Sequence, residues 1–199
     1  MSTKEKKPKL THEARSKIAK RSKNRGSTFE RKIAKAFTEK LKETEFETEF
    51  HKTPASGGLR WSKKVLSVIG DITCDRDDFI FTIECKKNEA IDVEVLFYKR
   101  KLNKSNDLIS FYSQACDEAI RADKEPMLVV ERKRGKPYCV IPSRVFEKVM
   151  DVEVPEDHII RATIRLHKEN NRGWEKVTLI PVSEFLNFVM LDKLFEERG

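Results

Sequence analysis

No run in this 199-residue chain approaches the ~18 apolar residues of a membrane-spanning helix, and the charged N-terminus leads into no apolar secretory segment. The expectation is a soluble intracellular protein, with no membrane partner, that acts in the cytoplasm or at the nucleoid. Cysteine is sparse. Cys74, Cys85, Cys116 and Cys139 have no C-x-x-C spacing, which disfavours a structural zinc site and makes them read as buried reduced thiols. His12, His51, His158 and His167 form no ligand-type pair, and no segment is expected to repeat.

What is present is charge, and it is uneven. The chain carries a net charge of +8, and residues 1–25 alone hold ten Lys/Arg against two Glu. The remaining residues carry 31 charges of each sign. A basic flexible arm over residues 1–25, joined to a neutral body, suits sequence-independent grip on nucleic acid through counterion release. A solubilising or targeting tail would have the same composition. Thr11 to Lys23 has the make-up to become helical on binding. With 38% apolar content, the rest can bury one sizeable core and a small appended subdomain.

Periodicity divides the body into elements. Phe29, Ile33, Phe37 and Leu41 recur at four-residue steps, so a helix is expected to open at Ser27, where Ser27 and Glu30 fit a capping box. Residues 46–52 alternate as a half-buried strand and end in the loop Thr53-Pro54-Ala55-Ser56-Gly57-Gly58. Residues 66–75 and 78–86 read as a β-hairpin turning at Asp75-Arg76-Asp77. A second helix over 105–122 places Leu108, Phe111, Tyr112, Ala115 and Ala119 on one face beside Gln114, and strands follow at 127–131 and 138–141. A short helix (143–150), strands at 158–166 and 175–182, and an apolar helix from Ser183 complete the chain. This order fits an α/β fold with a mixed central β-sheet flanked by helices, followed by a C-terminal α+β extension over 143–199 that packs on the core or forms a dimer seam.

Within the hairpin, strand alternation sends Glu84 and Lys86 to the same side of an otherwise apolar run. The partner strand can bring Asp71 close to Glu84. Two carboxylates and an ammonium converging where hydrocarbon belongs mark a candidate site. The chemistry that uses such a trio is metal-assisted phosphodiester hydrolysis, because Mg²⁺ takes hard oxygen ligands and a nearby Lys offsets phosphate charge. An ordinary surface Glu/Lys pair would explain E-x-K alone. The surroundings argue further: Arg60, Trp61, Lys63 and Lys64 follow the glycine-rich loop, and cations beside an aromatic suit phosphate contact with base stacking. A solvated basic loop with a tucked-in Trp is the plainer alternative.

Taken in order, RGSTFERKIAKAF, TPASGG, GDITC and FTIECKK resemble the PD-(D/E)xK nuclease superfamily, and within it the archaeal and viral Holliday-junction resolvases. The resemblance covers about residues 24–140, and Gly70 stands where the superfamily's proline would be. It implies a restriction-endonuclease-like core over 26–142. Asp71 and Glu84 would bind Mg²⁺ or Mn²⁺, helped by the Cys85 backbone carbonyl only. Lys86 would be the catalytic lysine, Glu30 an additional acidic residue, Ser56 a loop serine near the scissile strand and Gln114 an accessory residue. Arg25 and Lys87, the first residue of RGSTFERKIAKAF and the last of FTIECKK, join Arg60, Trp61, Lys63 and Lys64 as expected DNA contacts. The implied activity is metal-dependent resolution of four-way DNA junctions by a homodimer, with a virus-encoded protein acting in its host also compatible. The alternatives are another endonuclease of this superfamily, cutting duplex, nicked or flapped DNA in repair or restriction, and a non-catalytic nucleic-acid-binding module.

Overall fold

An eight-stranded mixed sheet organises the chain, in the order β1-β2-β3-β5-β6-β8-β7-β4. The computed structural model describes residues 11–53, 69–88, 93, 101–102, 107–132, 135–151, 153–168 and 171–196. The strands are β1 (Phe50–Lys52), β2 (Ile72–Cys74), β3 (Phe81–Lys87), β4 (Lys101–Leu102), β5 (Glu125–Glu131), β6 (Pro137–Pro142), β7 (Ile160–Lys168) and β8 (Asn171–Pro181). The helices are α1 (His12–Leu41), α2 (Asp107–Ala122), α3 (Ser143–Val149) and α4 (Val182–Phe188). Strands β3 and β5 pair in parallel, as do β4 and β7, and every other neighbour pairing is antiparallel. Parallel neighbours need a crossover, and α2 supplies it between β3 and β5.

Two cores lie on the two sheet faces. On one face Phe29, Ile33, Phe37 and Leu41 of α1 join Phe81, Ile83 and Cys85 of β3, Met127 and Val129 of β5, and the apolar sides of α3 and α4. On the other, Leu108, Tyr112, Ala115 and Cys116 of α2 pack with Leu128, Val130, Ile164 and Leu179. The rings of Phe37, Phe50, Phe79 and Phe185 meet at centroid distances of 5.0–6.4 Å and pin α1 to the sheet. Each such side chain contributes about 1.5–3 kcal/mol by leaving water.

Several boundaries differ from the sequence expectation. The first helix starts at His12 rather than Ser27, capped by Thr11, whose side chain accepts from the Ala14 N–H at 3.3 Å. Ser27 is therefore mid-helix and closes no capping box. Residues 12–25 are rich in Lys, Arg and Ala, good helix formers, and Gly26 costs only ~1 kcal/mol against Ala, too little to break the rod. The boundary expected near residue 26 is thus crossed by one continuous helix. Residues 46–49 are not strand, because Thr44 takes their donors: Phe46 N–H binds its hydroxyl at 3.2 Å and Glu47 N–H its carbonyl at 3.1 Å.

The C-terminal segment is not an appended unit. Strands β7 and β8 enter the central sheet through β6, so no break falls at residue 143. The expected terminal helix stops at Phe188, where the Val189 N–H caps to Phe185 and Val189 then bridges Met150. Leu191–Leu194 form a 3-10 turn, and Phe195 bridges Phe79 and stacks on Phe46. Phe185, Val189, Leu194 and Phe195 are all buried within this chain. The expectation that nothing repeats also needs correcting. Both β6–α3 and β8–α4 run from a strand through Ile-Pro into a seven-residue helix containing a buried Phe (Phe146, Phe185), and their ends meet at the Met150–Val189 bridge.

Candidate active site

Gly70 seats the first carboxylate. Its φ is +96°, and a Cβ there would lie 2.8 Å from the Ile83 carbonyl oxygen and 3.0 Å from Thr82 Cγ2. Proline, locked near φ −65°, cannot take this conformation. The close approach places Asp71 against β3, where its N–H donates to the Ile83 carbonyl at 2.8 Å and its Oδ2 accepts from the Cys85 N–H at 3.0 Å. The Asp71 carbonyl accepts from Thr53 N–H at 3.0 Å, tying β1 to the same point.

Strand β3 supplies the second carboxylate. Its even residues face α2, so Glu84 and Lys86 leave the same side, as alternation requires. Glu84 is only 2% exposed. Its Oε1 accepts from Lys86 Nζ and, at 3.0 Å, from Gln114 Nε2. The Gln114 amide spends another N–H on Glu118 Oε1, also at 3.0 Å. Lys86 Nζ lies 5.7 Å above the Phe111 ring. Burial, then the charges of Asp71 and Glu118, push the Glu84 carboxyl up to about 8, with Lys86 only partly opposing them. Burial pulls Lys86 down, but Glu84, Asp71 and Glu118 outweigh it, so this ammonium stays charged beyond the ordinary lysine range.

The odd residues of β3 face α1. There Glu30 pairs with Lys52 of β1, and Glu30 is among the charges that raise the Cys85 thiol. Lys87 donates to Glu131 at 2.8 Å and lies 5.7 Å over the Phe29 ring. The Lys87 charge is shared with a buried carboxylate, because β3 and β5 run in register and set the two side by side.

The structure therefore brings Asp71, Glu84, Lys86 and Gln114 together, with Glu30 across the strand. Arg25 is exposed on α1. Ser56, Arg60, Trp61, Lys63 and Lys64 lie outside the described residues, as do residues 1–10. Among the described residues no group of three or more His, Cys, Asp or Glu is arranged to hold a metal ion. The pair Asp71 and Glu84 suits a hard cation that keeps water ligands, since Mg²⁺ commonly takes one or two carboxylates. Among the described residues, hydrogen bonds occupy only Oδ2 of Asp71 and Oε1 of Glu84, which leaves an oxygen on each. In a strand the N–H and C=O of one residue point to the same side, so the Cys85 carbonyl faces the Asp71 side.

Three residues were missed from the sequence. Glu118 follows Gln114 by one helical turn, a spacing that brings side chains together and was there to be read. Lys52 and Glu131 carried no such local signal, since each meets its partner through strand pairing or helix docking.

Residues 21–191 match the model of a family described as phage putative PDDEXK endonuclease. No curated protein and no solved structure matches the chain.

Proposed function

The chain belongs to the phage putative PDDEXK endonuclease family, and from that membership we propose that it is a metal-dependent, structure-selective DNA endonuclease that resolves four-way junctions by phosphodiester hydrolysis. Endonuclease activity on DNA is the coarse function that membership carries. The observation supporting the site is the convergence of Asp71, Glu84 and Lys86 at β2 and β3, with a carboxyl held up to about 8 by burial and its acidic neighbours. A buried carboxyl raised by neighbours of like charge is what a divalent cation would relieve.

Asp71 and Glu84, with the Cys85 carbonyl, would hold Mg²⁺ or Mn²⁺. When bound, such a cation acidifies water and stabilises charge on the reacting oxygens. The chain's own residues do the rest. Lys86, charged at every working pH, offsets negative charge on the phosphate. Gln114 holds the Glu84 carboxylate in one orientation. Glu30, steadied by Lys52, adds an acidic group on the far side of β3. Ser56, Arg60, Trp61, Lys63 and Lys64 complete the proposal as contacts to the scissile strand and its neighbours, and Arg25 as a backbone contact.

Junction preference rests on the ordered motifs between residues 24 and 140 and on the two-fold symmetry that a homodimer shares with a junction. A second reading, a monomeric endonuclease of duplex, nicked or flapped DNA, is favoured by Phe185, Val189, Leu194 and Phe195 being buried inside the chain, which leaves less apolar surface for a dimer seam. In Mg²⁺ and a panel of labelled junction, flap, nicked and linear DNAs, cleavage should vanish in Asp71→Asn and Glu84→Gln while binding persists. Lys86→Ala should lower turnover about 10²–10³-fold. Undiminished cleavage by either carboxylate variant would overturn the site.

A further inference from the structure

The N-terminal half of α1 is helix without a core. From residue 12 to residue 28 no side chain is buried, and the first to be so is Phe29. Arg15, Lys17, Lys20, Arg21, Lys23 and Arg25 stand against a single acid, Glu13, which pairs with Lys17 at 2.6 Å. Each residue turns the helix by ~100°, so these cations encircle the axis with no gap wider than ~80°. Lys17, Arg21 and Arg25 form a like-charge ladder at four-residue steps, which destabilises an isolated helix by a few tenths of a kcal/mol per pair. Ile18 is the one large apolar side chain on this stretch and it is exposed, so the helix has no apolar stripe to lay on a protein core. It does fit between two walls of phosphate, because the major groove of duplex DNA admits an α-helix and both walls are anionic.

We propose that residues 12–25 are a rigid cationic rod that lies in the groove of duplex DNA on one side of the cut. Direction and reach come from the same helix. Its second half is locked to the sheet through Phe29, Ile33, Phe37 and Leu41, so the rod leaves the site at a fixed angle. At ~1.5 Å per residue, Arg15 stands ~22 Å along the axis from Glu30. That length equals about six base pairs at 3.4 Å each. The grip is therefore one-sided and of defined length. This inference rests on the β2–β3 site cutting DNA for its orientation, but not for the grip itself.

Two arms test it on the full chain. In EDTA, fluorescence anisotropy with duplex DNA compares the native protein with the triple variant Arg15→Ala/Lys20→Ala/Arg21→Ala. The slope of log K against log salt should flatten by about 2.7, since each lost phosphate contact removes ~0.9. In Mg²⁺, single-turnover cleavage follows duplexes trimmed to about three base pairs on one side of the cut or the other, well inside the ~22 Å reach given by the helical rise. Trimming one side should slow the native protein at least tenfold and trimming the other should not, whereas the triple variant should be indifferent to both. Ser22→Pro keeps every charge but breaks the rod, so it should retain most of the salt slope and lose the one-sidedness. None of these positions touches the core, and circular dichroism of the variants checks that the body stays folded. An unchanged salt slope in the triple variant, or equal sensitivity to trimming on both sides, overturns the proposal. If the native protein cuts no DNA, the nuclease reading fails while the salt-slope arm still decides the grip.

Discussion

Gly70 occupies the position where the superfamily's name expects proline, and its backbone explains the exchange. A residue at φ +96° with a carbonyl 2.8 Å from its would-be Cβ has to be glycine. Gly70→Ala should destabilise the fold by about 2–3 kcal/mol, combining left-handed strain with overpacking, as read by urea unfolding. Cleavage should fall as well, because Asp71 is seated by the same turn. Glu84 gives a pH signature. Its folded carboxyl titrates near 8 against an ordinary 4.5, so the folded protein binds the extra proton. Metal-free stability should therefore be fully present below about pH 4.5 and decline as pH rises towards about 8, by on the order of a few kcal/mol. Glu84→Gln should flatten that decline in denaturant titrations run across this window, and a steep decline surviving in the variant would assign it to another group. At this scale the sequence was most legible where a residue breaks the local pattern: Asp71, Glu84 and Lys86 conflict with an apolar strand, and the structure brings them together. Glu118 and Lys52, which contact Gln114 and Glu30, conflict with nothing local.

Among the elements, helices with one apolar stripe were easiest to read, and their ends were hardest. The stripe Phe29, Ile33, Phe37 and Leu41 marks where α1 meets the sheet, but the helix continues 17 residues towards the N-terminus on propensity alone, without any stripe. The twin strand–Pro–helix units keep one spacing, Phe four residues after Pro in each, but the residues between differ (Ser-Arg-Val against Val-Ser-Glu), which concealed the likeness. Phe37 is the residue on which α1 docking turns, touching Phe50, Phe79 and Phe185. Phe37→Ala should cost about 3–5 kcal/mol in chemical unfolding. A loss below ~1 kcal/mol, the size expected of a surface position, would mean that α1 is held elsewhere.

For the whole molecule, composition and element order foretold a mixed sheet with helices on both faces, and that is the architecture found. Strand order was not legible. Periodicity identifies strands but carries no information about neighbours, so nothing local announced that β8 would insert between β6 and β7 and draw the C-terminal segment into the central sheet. The functional consequence concerns assembly. Phe185, Val189, Leu194 and Phe195 serve this chain's own core, while Leu186, Phe188 and Leu191 of the same segment are only partly buried. On an immobile four-way junction the protein should make paired, symmetric incisions faster than on the component duplexes, at equal strand concentration, with a two-protomer complex by light scattering. Equal rates on both substrates, or single random nicks by a monomer, would assign it to the general DNA endonucleases and leave Asp71, Glu84 and Lys86 unaffected.

Cys85 has a consequence of a different kind. Its thiol lies inside β3 between two site residues, and burial, then Asp71, Glu84 and Glu30, push it well above the ordinary thiol range. Disulfide reagents attack thiolates reached by solvent, so this sulfur stays silent while the strand is closed. Its modification must wait for β3 to part from its neighbours. Followed at Cys85 by peptide mapping, apart from Cys74, Cys116 and Cys139, the rate of that reaction is then a clock for the breathing of β3, wound into the native sequence.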